Sequence, residues 1–213
     1  MVSKVPHRHF LKLSEAIHDR LRTLRPPCWK EQIEKYPWLY GALGDPGADV
    51  MFVCENPSLS ALRAIRESPW DGPPDFDTQW TGNPSNRRDT RFRKVLCDLG
   101  LKDGAIWEPG GWRCYITNAI KQAAIVGEWG DTPWHEKLRA ARLWSEILQT
   151  EFDAVRPATV FCIGGNAHWM VKWLQRNAGV DVPGPIRRIW HYSAYRSDEE
   201  VERQMRRGIA PYL

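Results

Sequence analysis

The sequence predicts an α/β fold of three layers, with a central, mainly parallel four-stranded sheet between helices. Three observations predict it. Short apolar runs alternate along the chain with longer stretches of helical periodicity, the pattern of a sheet covered on both sides. The first three runs are mostly apolar, as strands buried on both faces are. The 213 residues, 42% of them apolar, suit one domain with a full core rather than two. A single domain over 1–213 is therefore expected, with a helical lead-in at 1–47, a core at 48–196 and a C-terminal helix at 197–213.

Taken in order, His9 to Leu24 place Phe10, Leu13, Ile17, Leu21 and Leu24 on one helical face, and Pro26-Pro27 forbid continuation. Asp49 to Cys54 is the first strand, entered from the turn-rich Gly44 to Gly47 and left through Glu55-Asn56-Pro57-Ser58. Ser58 or Ser60 can cap a helix through Leu62, Ile65 and Arg66. Ser68 to Asp89, rich in proline and aromatics, reads as a long loop, and loops of that length in compact domains usually carry function. Phe92, Val95, Leu96 and Leu99 then mark a helix stopped by Gly100.

Arg113 to Thr117 is the second strand, followed by Asn118. Asp131-Thr132-Pro133 open one long helix through Leu138, Ala141, Trp144, Leu148 and Phe152, with proline at its tolerated first turn. Thr159 to Ile163 is the third strand; Gly164-Gly165 lead into a helix with Ala167, Met170, Val171 and Leu174, stopped by Gly179. Ile186 to Trp190 is the fourth strand, ending at His191-Tyr192-Ser193, and Ser197 with Glu200 forms a capping box for the last helix.

Composition narrows the class. The net charge of +4 is compatible with nucleic acid without requiring it. The first nine residues lack the apolar core of a signal peptide and no stretch approaches a membrane span, so a cytoplasmic protein with no membrane partner is expected. Cys28, Cys54, Cys97, Cys114 and Cys162 contain no C-x-x-C pair, so no metal, iron-sulfur cluster or other cofactor is expected. Those in apolar runs read as reduced, buried thiols. Twelve tryptophans supply planar surfaces for packing or for stacking on a planar ligand.

In parallel sheets the ligand crevice lies beyond the carboxyl ends of the strands. Those ends carry Glu55-Asn56-Pro57, Asn118, Gly164-Gly165 and His191-Tyr192-Ser193: a carboxylate, two amides and an imidazole. Singly, each has an ordinary explanation. Asn-Pro makes turns, histidines satisfy cores, and Gly-Gly eases a tight exit from a strand; the glycine pair is read as structural.

Cys54-Glu55-Asn56-Pro57-Ser58 resembles the first motif of the uracil-DNA glycosylase superfamily, which reads GINPG in the mismatch-specific uracil and thymine branch. Arg91-Phe92-Arg93-Lys94-Val95-Leu96 before Leu99-Gly100-Leu101 is similar to the NRFWKVL...AGF segment of that branch. Cys114-Tyr115-Ile116-Thr117-Asn118-Ala119-Ile120-Lys121 is similar to its YITNAVK strand. His191-Tyr192-Ser193 stands where the family has HPS or NPS. The match covers about residues 48 to 196, with departures at Cys54, Ser58 and Tyr192, which stand where the family has glycine, glycine and proline.

The resemblance implies a monofunctional DNA glycosylase, acting as a monomer on DNA without cofactor. Breaking an N-glycosidic bond puts positive charge on the sugar and negative charge on the base, so the site must steady an anion and place a water. By the family pattern Asn56 positions that water and Glu55 acts as base or stabilises the sugar cation. Asn118 reads the base edge with one acceptor and two donors, and His191 donates to the departing base oxygen. Pro57, Ser58, Tyr192 and Ser193 line the pocket.

Taking the base from the stack calls for a wall and a wedge. Trp80 or Phe76 is the candidate wall, and Tyr195 or Arg196 the wedge. Arg87, Arg88, Arg91, Arg93, Lys94, Arg187 and Arg188 are expected to meet phosphates. Lys121 beside Asn118 leaves a Schiff-base lyase step open. The substrate expected is uracil or another altered pyrimidine. A bulky hypermodified cytosine of phage DNA, which would make the protein a defence enzyme, and a DNA-binding relative that does not cut are the alternatives. A third, from outside the family, is a flavodoxin-like nucleotide-binding domain.

Overall fold

The computed structural model describes residues 5–26, 28, 43–58, 87–108 and 110–213. Four parallel strands form its centre: β2 (Val50–Cys54), β3 (Tyr115–Asn118), β4 (Thr159–Ile163) and β5 (Ile186–Ile189). A two-residue strand, β1 (Leu43–Gly44), joins β3 antiparallel, giving the order β1-β3-β2-β4-β5. This edge piece was not expected from the sequence, because two residues carry no periodicity to read. The four-stranded parallel sheet was.

Position in the sheet explains composition. β2, β3 and β4 run through the middle and are buried at nearly every residue, whereas β5 is an edge and exposes Arg187 and Arg188. The registers pair Cys54 with Asn118, Val53 with Cys162 and Ile163 with Ile189, so all four strands finish at one edge of the sheet.

Helices cover both faces. On one side α1 (Val5–Leu24) packs on α5 (Ser145–Val155), α5 meets α4 (Trp134–Leu143), and α4 meets α6 (Gly164–Asn177). On the other, α2 (Arg87–Asp98) packs on α7 (Asp198–Ile209), and Phe92 of α2 meets Phe52 of β2 edge to face at 5.6 Å. Leu13, Ile17 and Leu21 of α1 are buried, as their spacing requires. Ser197 caps α7 by accepting from the Glu200 amide at 3.3 Å. Among the described residues no helix is long and apolar enough to cross a membrane.

Several element boundaries differ from the sequence reading. The long helix expected from Pro133 through Phe152 is two helices, parted at Trp144, whose ψ of 0° leaves the helical range. Ser145 donates its hydroxyl to the Arg142 carbonyl at 2.8 Å there, meeting a carbonyl at the end of α4. A short helix, α3 (Val126–Asp131), precedes α4 where the sequence suggested no element. The expected loop up to Asp89 gives way to α2 at Arg87, and the proposed helix through Leu62, Ile65 and Arg66 lies outside the described residues.

Candidate active site

The strand ends lie along one edge of the sheet. Beyond β2 and β3 the parallel ladder continues: the Ala119 amide donates to the Cys54 carbonyl at 2.8 Å, the Ile120 amide to Glu55 at 2.9 Å and the Ala124 amide to Pro57 at 3.1 Å. Glu55, Asn56, Pro57 and Ser58 are thus anchored by backbone against the 119–124 segment while their side chains stay half-buried. Asn56 donates its amide to the Pro57 carbonyl at 3.3 Å.

The Glu55 carboxylate is held from three helices. Trp129 donates its indole N–H to Oε1 at 2.9 Å, Asn166 its amide to Oε2 at 3.0 Å, and Lys137 Nζ lies 3.7 Å from Oε1. None of these three partners is signalled locally in the sequence, because each reaches Glu55 only through the packing of α3, α4 and α6. Asn166 follows directly on the glycine pair read as structural.

Asn118 is buried at the end of β3. Behind it, Lys121 Nζ donates to the Asn118 carbonyl at 2.7 Å, to Thr117 Oγ1 at 2.5 Å and to Glu151 Oε2. Glu151 Oε1 in turn accepts from Thr117 at 2.6 Å and Tyr115 at 3.0 Å. Both charged side chains are fully buried, and burial lowers the Lys121 pKa despite Glu151. Lys121, the residue that left a lyase step open, thus has its amine fully buried and bonded to three oxygens.

His191 follows β5 across Trp190. Its Nδ1 accepts the Ser193 backbone N–H at 3.1 Å, with Ser193 Oγ at 2.7 Å. Burial depresses its pKa, with the positive charge of Arg88 acting the same way and the Glu55 carboxylate opposing. Gly164, at φ +88°, lies so close that a Cβ there would sit 3.1 Å from His191 Cδ2. Glycine is needed at this position for conformation and for room.

Tyr192, which stands where the resembled motif has proline, stacks between His191 at 4.7 Å and Phe92 at 5.2 Å. Burial keeps its phenol neutral by raising its pKa far above the ordinary value. Cys54 is likewise a protonated thiol, pushed up to about 12 by burial.

The basic residues divide. Arg91 is buried, donating to the Tyr192 carbonyl at 2.8 Å and the Ala194 carbonyl at 3.4 Å while pairing with Asp198. It fixes the loop that carries Ser193. Arg93 is 1% exposed, lies over the Trp107 ring at 4.3 Å and donates to Ile106 at 3.1 Å. Burial corrects the reading of Arg93 as a phosphate contact, whereas Arg91, though 7% exposed, still lines the cleft it shares with Arg87 and Arg88. Lys94 pairs with Glu202 at 2.7 Å and Arg87 with Asp198, while Arg187 lies over Tyr212 at 4.5 Å.

Arg87, Arg88, Arg91 and Arg196 line a cleft beside Ser193 and Tyr195, and Arg188 and Arg196 a second one that includes His191. Tyr195 is 89% exposed. Phe76 and Trp80 lie outside the described residues.

The family model of the uracil DNA glycosylase superfamily matches residues 42–202. The chain belongs to the uracil DNA glycosylase superfamily. Members of this superfamily are usually DNA glycosylases, hydrolases that act on uracil-type bases in DNA. The match begins just before β1 and ends in α7, so it contains all five strands and every strand end described above. No curated protein matches the chain. Among the described residues no cluster of three or more His, Cys, Asp or Glu side chains is arranged to hold a metal ion.

Proposed function

We propose that this superfamily member hydrolyses the N-glycosidic bond of uracil, or of another modified pyrimidine, flipped out of DNA. By its motifs it stands nearest the mismatch-specific uracil and thymine branch. The observation that carries the reading is the contact of His191 Nδ1 with the Ser193 backbone N–H, which leaves the ring proton to Nε2, at the same sheet edge as Glu55-Asn56 and Asn118.

In the reaction the C1′–N bond breaks and its electron pair leaves with the base. His191 Nε2–H donates to the base oxygen on which negative charge collects, and a donor so placed typically contributes ~10²–10³ in rate. Asn118 holds the base edge, one acceptor and two donors matching the edge of an imide or amide. Water steadied by the Asn56 amide adds to C1′ and releases its proton to solvent, while the Glu55 carboxylate offsets the positive charge on the sugar.

Arg87, Arg88, Arg187, Arg188 and Lys94 attract the phosphate backbone, and Tyr195 with Arg196 fills the vacated stack. The protein acts as a cytoplasmic monomer and without a cofactor. Base-release mass spectrometry on plain, deaminated and hypermodified DNAs tests the reading. Free uracil in the supernatant supports it. Release only of hypermodified cytosine assigns a phage-defence substrate, and DNA retained without any release makes the protein a binder.

A further inference from the structure

We propose that Trp129 and Asn166 are positioning residues: they hold the Glu55 carboxylate in the one orientation in which its charge serves glycosidic cleavage. The proposal rests on the function proposed above and adds two residues that no motif of the family match supplies.

The geometry is a clamp from both sides of one carboxylate. The indole N–H of Trp129 reaches Oε1 at 2.9 Å, and the Asn166 amide reaches Oε2 at 3.0 Å. With one donor, a glutamate can still rotate its carboxylate about the last torsion. With a donor on each oxygen, the plane is fixed. Lys137 adds positive charge 3.7 Å from Oε1 and lies over the Trp129 ring at 5.4 Å, so the same lysine steadies donor and acceptor. The side chain of Glu55 is only 17% exposed and that of Lys137 6%, which limits competition from water on the Oε1 side.

The donors are themselves anchored. Trp129 sits in α3, its backbone amide bonded to the Ile125 carbonyl at 2.9 Å, and Asn166 sits in the first turn of α6, immediately after β4. An indole nitrogen can only donate, and the Asn166 nitrogen facing Oε2 donates as well, so a carboxylate meets both donors as they stand. A glutamine would accept from the indole and meet Asn166 only if that amide turned to present its oxygen. The residue next along the chain is Asn56, so the torsions of Glu55 and the placement of the attacking water share one backbone segment.

A role confined to pinning helices together would use the same contacts, and a mutant cycle separates the two. Trp129→Phe keeps the ring and deletes the donor; Asn166→Ala removes an exposed amide. Single-turnover release from the substrate oligonucleotide is expected to slow about 10- to 100-fold in each variant, with DNA affinity unchanged. In a Glu55→Ala background the same two substitutions are expected to cost nothing more, since they act through Glu55. Equal losses in both backgrounds, or no loss in the wild-type background, would overturn the proposal.

A second readout needs no turnover. The Trp129 indole N–H resonance, assigned by its loss in Trp129→Phe, is expected to move upfield in Glu55→Ala as its charged acceptor disappears. An unmoved resonance overturns the clamp whatever the activity. Should the wild type release no base from any DNA, the proposed function falls, while a resonance that follows Glu55 still upholds the clamp itself.

Discussion

Ser193 sets the proton position on His191: its backbone N–H points at Nδ1 from 3.1 Å. A backbone N–H can only donate, so Nδ1 must present a lone pair and the ring proton must sit on Nε2. Protonating Nδ1 would set two donors against each other. Burial, the first cause of the lowered His191 pKa, favours the same neutral form.

The acid limb of base release should therefore lie below 6.5, the ordinary histidine value. The sign follows from linkage. The unfolded chain takes up its proton first as pH falls, so stability is full above the unfolded value and declines towards the lower folded one. A pH profile of single-turnover release, with ¹⁵N spectra of the imidazole, checks both points. A limb above 6.5, or the proton found on Nδ1, would contradict them.

Lys121 and Glu151 are both fully buried, so removing one strands the other. Lys121→Met should cost about 3–5 kcal/mol in urea unfolding. Lys121→Met with Glu151→Leu should recover much of that loss, because no charge is then left alone. Wild-type protein should form no borohydride-trapped adduct with abasic DNA at Lys121; a Lys121-linked adduct would restore the lyase step.

The arginines should separate by assay. Arg188→Ala, at an exposed edge position, should weaken DNA binding uniformly across sequences and reduce the salt slope by about 1. Arg91→Met should slow release by freeing the 192–194 loop and leave that slope unchanged, while Arg93→Ala should cost about 2–4 kcal/mol of stability. Filter binding over a salt series and thermal melts distinguish the three; a reduced slope in Arg93→Ala would return it to the DNA surface.

The proposed function gives Asn118 the reading of the base edge. Asn118→Asp replaces two donors by an acceptor and should change which bases are released. The base panel measures this, and an unchanged profile would move recognition to another residue.

What the sequence made legible, and what it did not, follows from range. β2 and β4 were legible because strands buried on both faces must be apolar throughout, and the stop of α2 because Gly100 takes φ +68°. That the strand ends share one edge of the sheet was legible because parallel strands end together. The partners of Glu55 were not, since Trp129, Lys137 and Asn166 lie 74, 82 and 111 residues away in sequence and meet it only in the packed chain. The arginines of α2 misled for a related reason. A basic run reads as solvated, yet α2 turns Arg91 and Arg93 inward, towards the carbonyls of Tyr192 and Ile106.

The central claim is that Asn56 steadies the water that replaces the base. Wild type and Asn56→Ala, compared for base release and for DNA affinity on the same oligonucleotide panel, test it most directly. The account predicts release by the wild type and a loss of at least ~10²-fold in the variant at nearly equal affinity. Full turnover by Asn56→Ala would contradict it.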